Sequence, residues 1–316
     1  MKRLLVIALC VLICCQGCGH GNINSESEIG VSDNTSSRRT SRKRYEVCFV
    51  SIADSADFEK QMLRNPIDQN TNIYSFEDII RGNISSYNEY YAKWQEEINN
   101  VLNVLKEITD EDEYSHIMRG QAAWEQYADS TFALEVETFR YLGMLYPATF
   151  WLRGVRAQAR AIELYGYEYL LTGKVSFLER EHTEAPNRDL RGVKTTIAVS
   201  IMPFLEYEAE PRLIASRCFS DGTAGTNEGY DELCNSMDQL LGKLVTELTD
   251  DVTNELSAAE YSWRAYIGET YQVEEAILKR IGGEVNKAKL VRWERGCSRL
   301  AELYAYKAGL DELKLF

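Results

Sequence analysis

Proline is nearly absent, with 5 in 316 residues, and histidine is rarer still, with 3. So little proline excludes collagen-like and proline-rich extended classes. His20, His116 and His182 lie far apart and share no spacing that would hold a metal. Basic residues are short as well: 35 Lys and Arg stand against 49 Asp and Glu, a formal charge of −14. That balance argues against nucleic acid as a partner, because phosphate contacts need a basic face, and it favours a cationic one. Also missing are a nucleophile elbow, a phosphate loop, a zinc signature and any cysteine–histidine arrangement of recognisable spacing. The acids are too numerous to single out a catalytic pair. No catalytic, cofactor-binding or metal-binding residue is therefore expected. What is present, 45% hydrophobic and 27% charged residues, is the make-up of a globular chain with room for one or two domains.

The N-terminus has its own order. Lys2 and Arg3 precede an apolar run at residues 4–15, and Gln16-Gly17-Cys18 follows. The run has 12 residues, too few for the ~20 of a spanning helix, so it reads as a signal peptide over 1–17. Its end resembles the lipobox of bacterial lipoproteins, with Gly17 before Cys18 and Cys15 where leucine is usual. The resemblance implies lipid on Cys18 and a chain tethered to a membrane of the bacterial envelope; an ordinary secretory cut nearby is the alternative. Cys10, Cys14 and Cys15 leave with the signal, so the cluster around Cys18 is no metal site. Lys2 and Arg3 leave too, making the mature chain more acidic by two charges.

Residues 18–44 are rich in Gly, Asn, Ser and Thr and read as a disordered tether. Arg38, Arg39, Arg42, Lys43 and Arg44 close it with a basic knot, either a contact for anionic lipid or polymer or a solvated flank. Residues 45–79 are an unassigned lead-in in which Tyr45, Val47 and Phe49 alternate as in a strand. Beyond Cys18 stand Cys48, Cys218, Cys234 and Cys297, an even number with three possible pairings.

An internal repeat organises the rest. At an offset of 139, without a gap, Tyr91 falls on Tyr230, Leu102 on Leu241, Trp124 on Trp263 and Tyr127 on Tyr266. The register continues with Gly143 on Gly282, Arg156 on Arg295, Arg160 on Arg299, and Glu163-Leu164-Tyr165 on Glu302-Leu303-Tyr304. One register over about eighty positions marks two copies of one unit. Each copy reads as three helices. In the first, Ile84, Tyr87, Tyr91, Trp94, Ile98, Leu102, Leu105 and Ile108 form an apolar stripe. Thr109, followed by three acids, is the expected cap of a second helix through Ile117, Gln121, Trp124, Tyr127 and Leu134 to Gly143. Pro147 suits the first turn of a third helix, ending at Gly173. The second copy repeats this near 228–248, 250–281 and 285–313. The fold class is all-α, two tandem three-helix units in a helical bundle, at 80–173 and 218–316. The connector at 174–217 holds Pro186, Pro203, Pro211 and a β-branched stretch at 195–199 that could form a short strand.

Residues 121–129, Gln-Ala-Ala-Trp-Glu-Gln-Tyr-Ala-Asp, resemble the signature of the LprI-like lysozyme inhibitor domain, in which a helix carries Gln-x-x-Trp-x-x-aromatic-Arg-Asp. The second copy adds Asp238, Glu260, Trp263, Tyr266, Gly282-Gly283, Cys297, Arg299 and the Glu302-Leu303 ending. The arginine after the aromatic is replaced by Ala128 and Ile267, and the cysteine soon after it is missing from both copies. The resemblance implies small exported helical domains, often lipid-anchored. It also implies a Cys218–Cys234 disulfide, from the paired cysteines at the family's domain start, which leaves Cys48 and Cys297 to each other. The family motif transfers no inhibitory contact.

Gln121, Trp124, Tyr127, Trp263 and Tyr266 read as core, with an aromatic recognition surface as the competing reading. Arg160 and Arg299, each three residues before a glutamate, read as helical ion pairs rather than ligand sites. Three functions stay open: a binding protein inhibiting a cationic, lysozyme-like muramidase, an adaptor lipoprotein, and a polysaccharide-handling enzyme. For the anchor, the expected outcome is that Cys18→Ala releases the chain from membranes or blocks processing. Mass spectrometry of the mature N-terminus checks it: lipid on Cys18 supports the reading, and an unmodified terminus beyond residue 18 removes it.

Overall fold

The computed structural model describes residues 51–53, 55–62, 64–69, 82–139, 146–179, 226–249 and 254–313. Among them the chain is all-α. Two short helices, α1 (Ala56–Met62) and α2 (Pro66–Gln69), precede the first unit of α3 (Ile84–Ile108), α4 (Glu111–Phe139) and α5 (Tyr146–Thr172). The second unit is α6 (Asn227–Thr249), α7 (Asn254–Arg280) and α8 (Asn286–Leu313). The signal, the tether, both strand candidates, Gly143 and most of the connector lie outside the described residues. No helix among them is long and apolar enough to cross a membrane.

Local chemistry sets the helix ends. Asn83 caps α3, its side chain accepting from Ser85 N at 2.9 Å. One expectation is corrected at the next start. Thr109 is the C-cap of α3, and its hydroxyl donates back to Leu105 O at 2.6 Å. Asp110 caps α4 instead, accepting from Glu113 N at 2.8 Å, while Asp110 N donates to Glu113 Oε2 at 3.2 Å. This reciprocal box satisfies two amides, and Glu113 stands three residues beyond Asp110 to complete it. At the other end of the middle helix of the second copy, Gly282 takes φ +69°, and Gly283 N reaches back to Leu278 O at 2.8 Å. Only a residue without a Cβ adopts that left-handed turn freely.

Packing differs from two separate three-helix units. Within each unit the first and third helices lie side by side, α3 on α5 and α6 on α8. The middle helices pack mainly on each other, α4 against α7 across the units. They run antiparallel: Glu113 meets Arg280, and Tyr127 stacks on Tyr266 with rings 6.2 Å apart and 5° from parallel. Tyr127 and Tyr266 are equivalent in the repeat, so the two units face each other about an approximate two-fold axis between these rings. The lead-in covers the first unit. Ile52 is fully buried, Ser51 sits against the bare Cα of Gly166, and Phe58 packs on Tyr169 with ring centroids 5.3 Å apart.

Two glycines of the first unit test this packing in opposite directions. A Cβ at Gly120 would meet Glu269 Cβ at 3.5 Å, Thr270 Oγ1 at 3.6 Å and Arg160 Nη2 at 3.8 Å, all ordinary contacts. The repeat already places buried Ala259 at the equivalent position. Gly120→Ala should raise stability by about 0.5–1 kcal/mol. A Cβ at Gly154 would lie 2.5 Å from Tyr90 Cδ1, in a ring stacked on Trp151. Gly154→Ala should cost about 1–3 kcal/mol. Urea midpoints at unchanged slope check both.

Candidate functional site

The repeated polar residues converge on the two-fold axis. In the first unit Arg156 forms a bidentate pair with Glu135, and its Nε donates across the axis to Glu302 Oε1 at 3.3 Å. The second unit returns the arrangement. Arg295 donates to both oxygens of Glu274, at 3.0 and 2.6 Å, and lies 3.0 Å from Glu163 Oε2 across the axis. Arg160 pairs with Glu163 and Arg299 with Glu302, each three residues on along its own helix. The tyrosines cross over. Tyr127 OH donates to Glu302 at 2.9 Å and Tyr266 OH to Glu163 at 2.5 Å. Tyr306 OH donates to Glu135 at 3.1 Å and Tyr167 OH to Glu274 at 3.3 Å. The guanidinium of Arg160 lies over the Tyr266 ring at 5.3 Å, and that of Arg299 over Tyr127 at 5.2 Å.

All these groups are buried, so their neighbours set their charge. Burial pushes the carboxyls of Glu163 and Glu302 up, but the arginines beside them outweigh it and hold both below the ordinary carboxylate range. At Glu135 and Glu274 burial prevails over a single strong guanidinium, and both carboxyls are raised. Burial also lifts the Tyr127, Tyr167, Tyr266 and Tyr306 hydroxyls, which therefore stay protonated and donate. The arrangement can hold charge and lock geometry. Its carboxylates are already engaged by arginine and tyrosine.

The structure places the other singled-out residues as follows. Trp124 and Trp263 are buried in the core. Gln121 Oε1 accepts from Arg160 Nε at 3.0 Å, and Glu260, its equivalent, accepts from Arg299 Nε at 3.3 Å. His116, on the seam between α4 and α7, has Nδ1 2.7 Å from Glu269 Oε2 and 2.7 Å from Arg119 Nη2. Cys234 is a free buried thiol whose sulfur faces Lys289 O at 3.4 Å. Burial pushes that thiol up to about 11, the reverse of what a reactive cysteine needs. Cys18, Cys48 and Cys218 lie outside the described residues, as does the Cys297 side chain. Among the described residues no group of His, Cys, Asp and Glu could hold a metal.

Sequence reasoning missed Glu135 and Glu274, and it matched Tyr167 to Tyr306 in the repeat without giving either a role in this site. The signal was there: each keeps its identity at the 139-residue offset. Comparison with family models, curated proteins and solved structures finds no match for this chain.

Removing one carboxylate tests the network. Glu163→Ala leaves Arg160 buried without a carboxylate and Arg295 with Glu274 alone, and should cost about 3–5 kcal/mol, whereas Tyr127→Phe removes one bond to a charged group and should cost about 1.5–3 kcal/mol. The pH dependence has a definite sign. Glu163 and Glu302 have depressed pKa values, so their stabilisation is complete above the ordinary carboxylate value and disappears as pH falls through the depressed ones. Urea midpoints should therefore fall steeply below about pH 4, and the acid limb should flatten in Glu163→Gln.

Proposed function

We propose that this chain is an exported, lipid-anchored binding protein of the bacterial cell envelope that engages a basic, lysozyme-like muramidase without turning over substrate. The observation that carries the reading is where the repeated ionisable groups go. Arg156, Arg160, Arg295 and Arg299 are buried, each paired with at least one of the buried carboxylates Glu135, Glu163, Glu274 and Glu302. Chemistry on a substrate is left without its best-placed acids, and the outer surface remains to meet a partner.

That surface belongs to a chain of formal charge −14, with Asp110, Glu111 and Asp112 exposed together where α4 begins. An enzyme that works on an acidic wall is basic, so attraction steers the two together. The resemblance of residues 121–129 to the lysozyme inhibitor signature supports the same partner, and Gly17-Cys18 supports the anchor. A second reading, an adaptor for another envelope component, has its own observation. Ala128 and Ile267, at the positions of the family arginine, are 3% and 4% exposed, so this chain packs apolar side chains where the signature has a charge.

The mature chain is tested against several lysozymes at two salt concentrations, together with turbidity of lysozyme-treated cell walls. Tight binding at low salt is expected, with association slowing as ionic strength rises from about 0.05 to about 0.5 M and wall lysis slowed in parallel. Absence of binding to every lysozyme, with lysis unhindered, transfers the conclusion to the adaptor. The structure has Cys234 as a free thiol, against the expected Cys218–Cys234 staple; peptide mapping of the same preparation without reduction decides between them and reads the Cys48–Cys297 pairing as well.

A further inference from the structure

Beyond α5 the chain leaves its helix at Gly173, with φ +75°, and crosses the first unit as an extended strap over residues 173–179. Among the described residues the strap makes no ladder with other backbone. Its peptide groups are held by side chains from three helices. Val175 N donates to Gln61 Oε1 at 3.0 Å, and Gly173 O accepts from Gln61 Nε2 at 3.3 Å, on the α1 side. Ser176 N donates to Glu168 Oε2 of α5 at 3.2 Å, and Ser176 O accepts from Asn100 Nδ2 of α3 at 2.6 Å. Leu178 N donates to Glu97 Oε2 of α3 at 3.3 Å. Phe177 meets the Tyr165 ring edge to face, centroids 5.0 Å apart, and Tyr165 OH is itself bonded to Glu97.

Donors and acceptors of successive peptide units read by fixed side chains, with one aromatic anchored beside a ring, is how a groove holds an extended peptide. Two of the readers are carboxylates that are almost fully buried, Glu97 and Glu168. Burying a carboxylate is costly unless donors are brought to it, and here the strap brings them. The helical frame does not demand these groups: the repeat has Ser236, Gln239 and Lys307 where the first unit has Glu97, Asn100 and Glu168.

We propose that the cleft between α1, α3 and α5 is a receptor for an extended peptide segment, filled in this chain by its own residues 173–178 and open to a partner's segment of the order aliphatic–polar–aromatic–aliphatic when the strap lifts. The partner is a polypeptide tail, bound through its backbone with one aromatic side chain as anchor. The site is separate from the two-fold network and does not depend on the muramidase reading.

The probe is a fluorescein-labelled peptide of residues 174–179, Lys-Val-Ser-Phe-Leu-Glu, added to the full mature chain. The unmodified chain holds its strap at an effective concentration on the order of millimolar, so Phe177→Ala should bind the peptide at least about tenfold more tightly than the unmodified chain. Adding Asn100→Ala should weaken that binding about fivefold, one neutral hydrogen bond's worth. A peptide with alanine for its phenylalanine should bind neither chain. Ser176→Pro removes the strap's donor to Glu168 without touching the helices and should give the same gain. If either variant keeps its helical circular dichroism and binds the peptide no better than the unmodified chain, the proposal is overturned.

Discussion

A guanidinium taken out of water has to find anionic oxygens in the plane of its donors, or the fold does not close over it. Four such groups sit at the centre of this molecule, and two of them, Arg156 and Arg295, find every carboxylate partner on another helix. Arg156 needs Glu135 from α4 and Glu302 from the other unit, and Arg295 needs Glu274 from α7 and Glu163 from the other unit. The requirement is met in one relative placement of the two units, with α4 and α7 antiparallel and Tyr127 over Tyr266. Apolar burial would tolerate sliding by a turn. Planar ion pairs do not, because a one-turn slip would leave charges without partners in a medium where each costs several kcal/mol. The network therefore acts as a register lock. Its net stabilisation is small beside the apolar core, while any partial loss is expensive.

From that lock follows the division of labour among the helices. α5 is buried along almost its whole length from Trp151 to Glu168, because it faces α3 on one side, the axis on another and the lead-in on a third. Its inner turns carry the charges and its outer turns the strap contacts. The lead-in covers the first unit through close approach at Gly166, where the repeat has Ala305. One copy thus accepts an added segment at a point where the other carries a methyl group.

Much of the frame was legible in the sequence because it is periodic. The stripe of Tyr87, Trp94, Ile98 and Leu105 lies on the buried face of α3, and the helices of both copies fall within a few residues of where the spacing placed them. The Arg160–Glu163 and Arg299–Glu302 pairs were legible for the same reason, since i and i+3 share a face. Three things were not. Thr109 and Asp110 are both capping residues side by side, and the choice fell to Asp110 because Glu113 could reciprocate. The packing of α4 on α7 rather than within its own unit has no local signature, because an apolar stripe does not name its partner. The crossing of Tyr127 to Glu302 joins residues 175 apart, beyond anything a helical period reports.

The most informative differences between the copies are the polar ones. Duplicated helices that share a core are free to drift at their surfaces, but a buried carboxylate does not persist by drift, because its desolvation cost falls on folding itself. Where both copies keep the same buried polar residue, as at Glu135 and Glu274, the fold supplies the reason. Where only one copy has it, as at Glu97 and Glu168 against Ser236 and Lys307, the helical frame has been shown to work without it. The reason must then lie in what those groups hold, and what they hold is an extended stretch of main chain. Symmetry in the buried charges locates the scaffold; the break in that symmetry locates the part of the first unit that does something its twin does not.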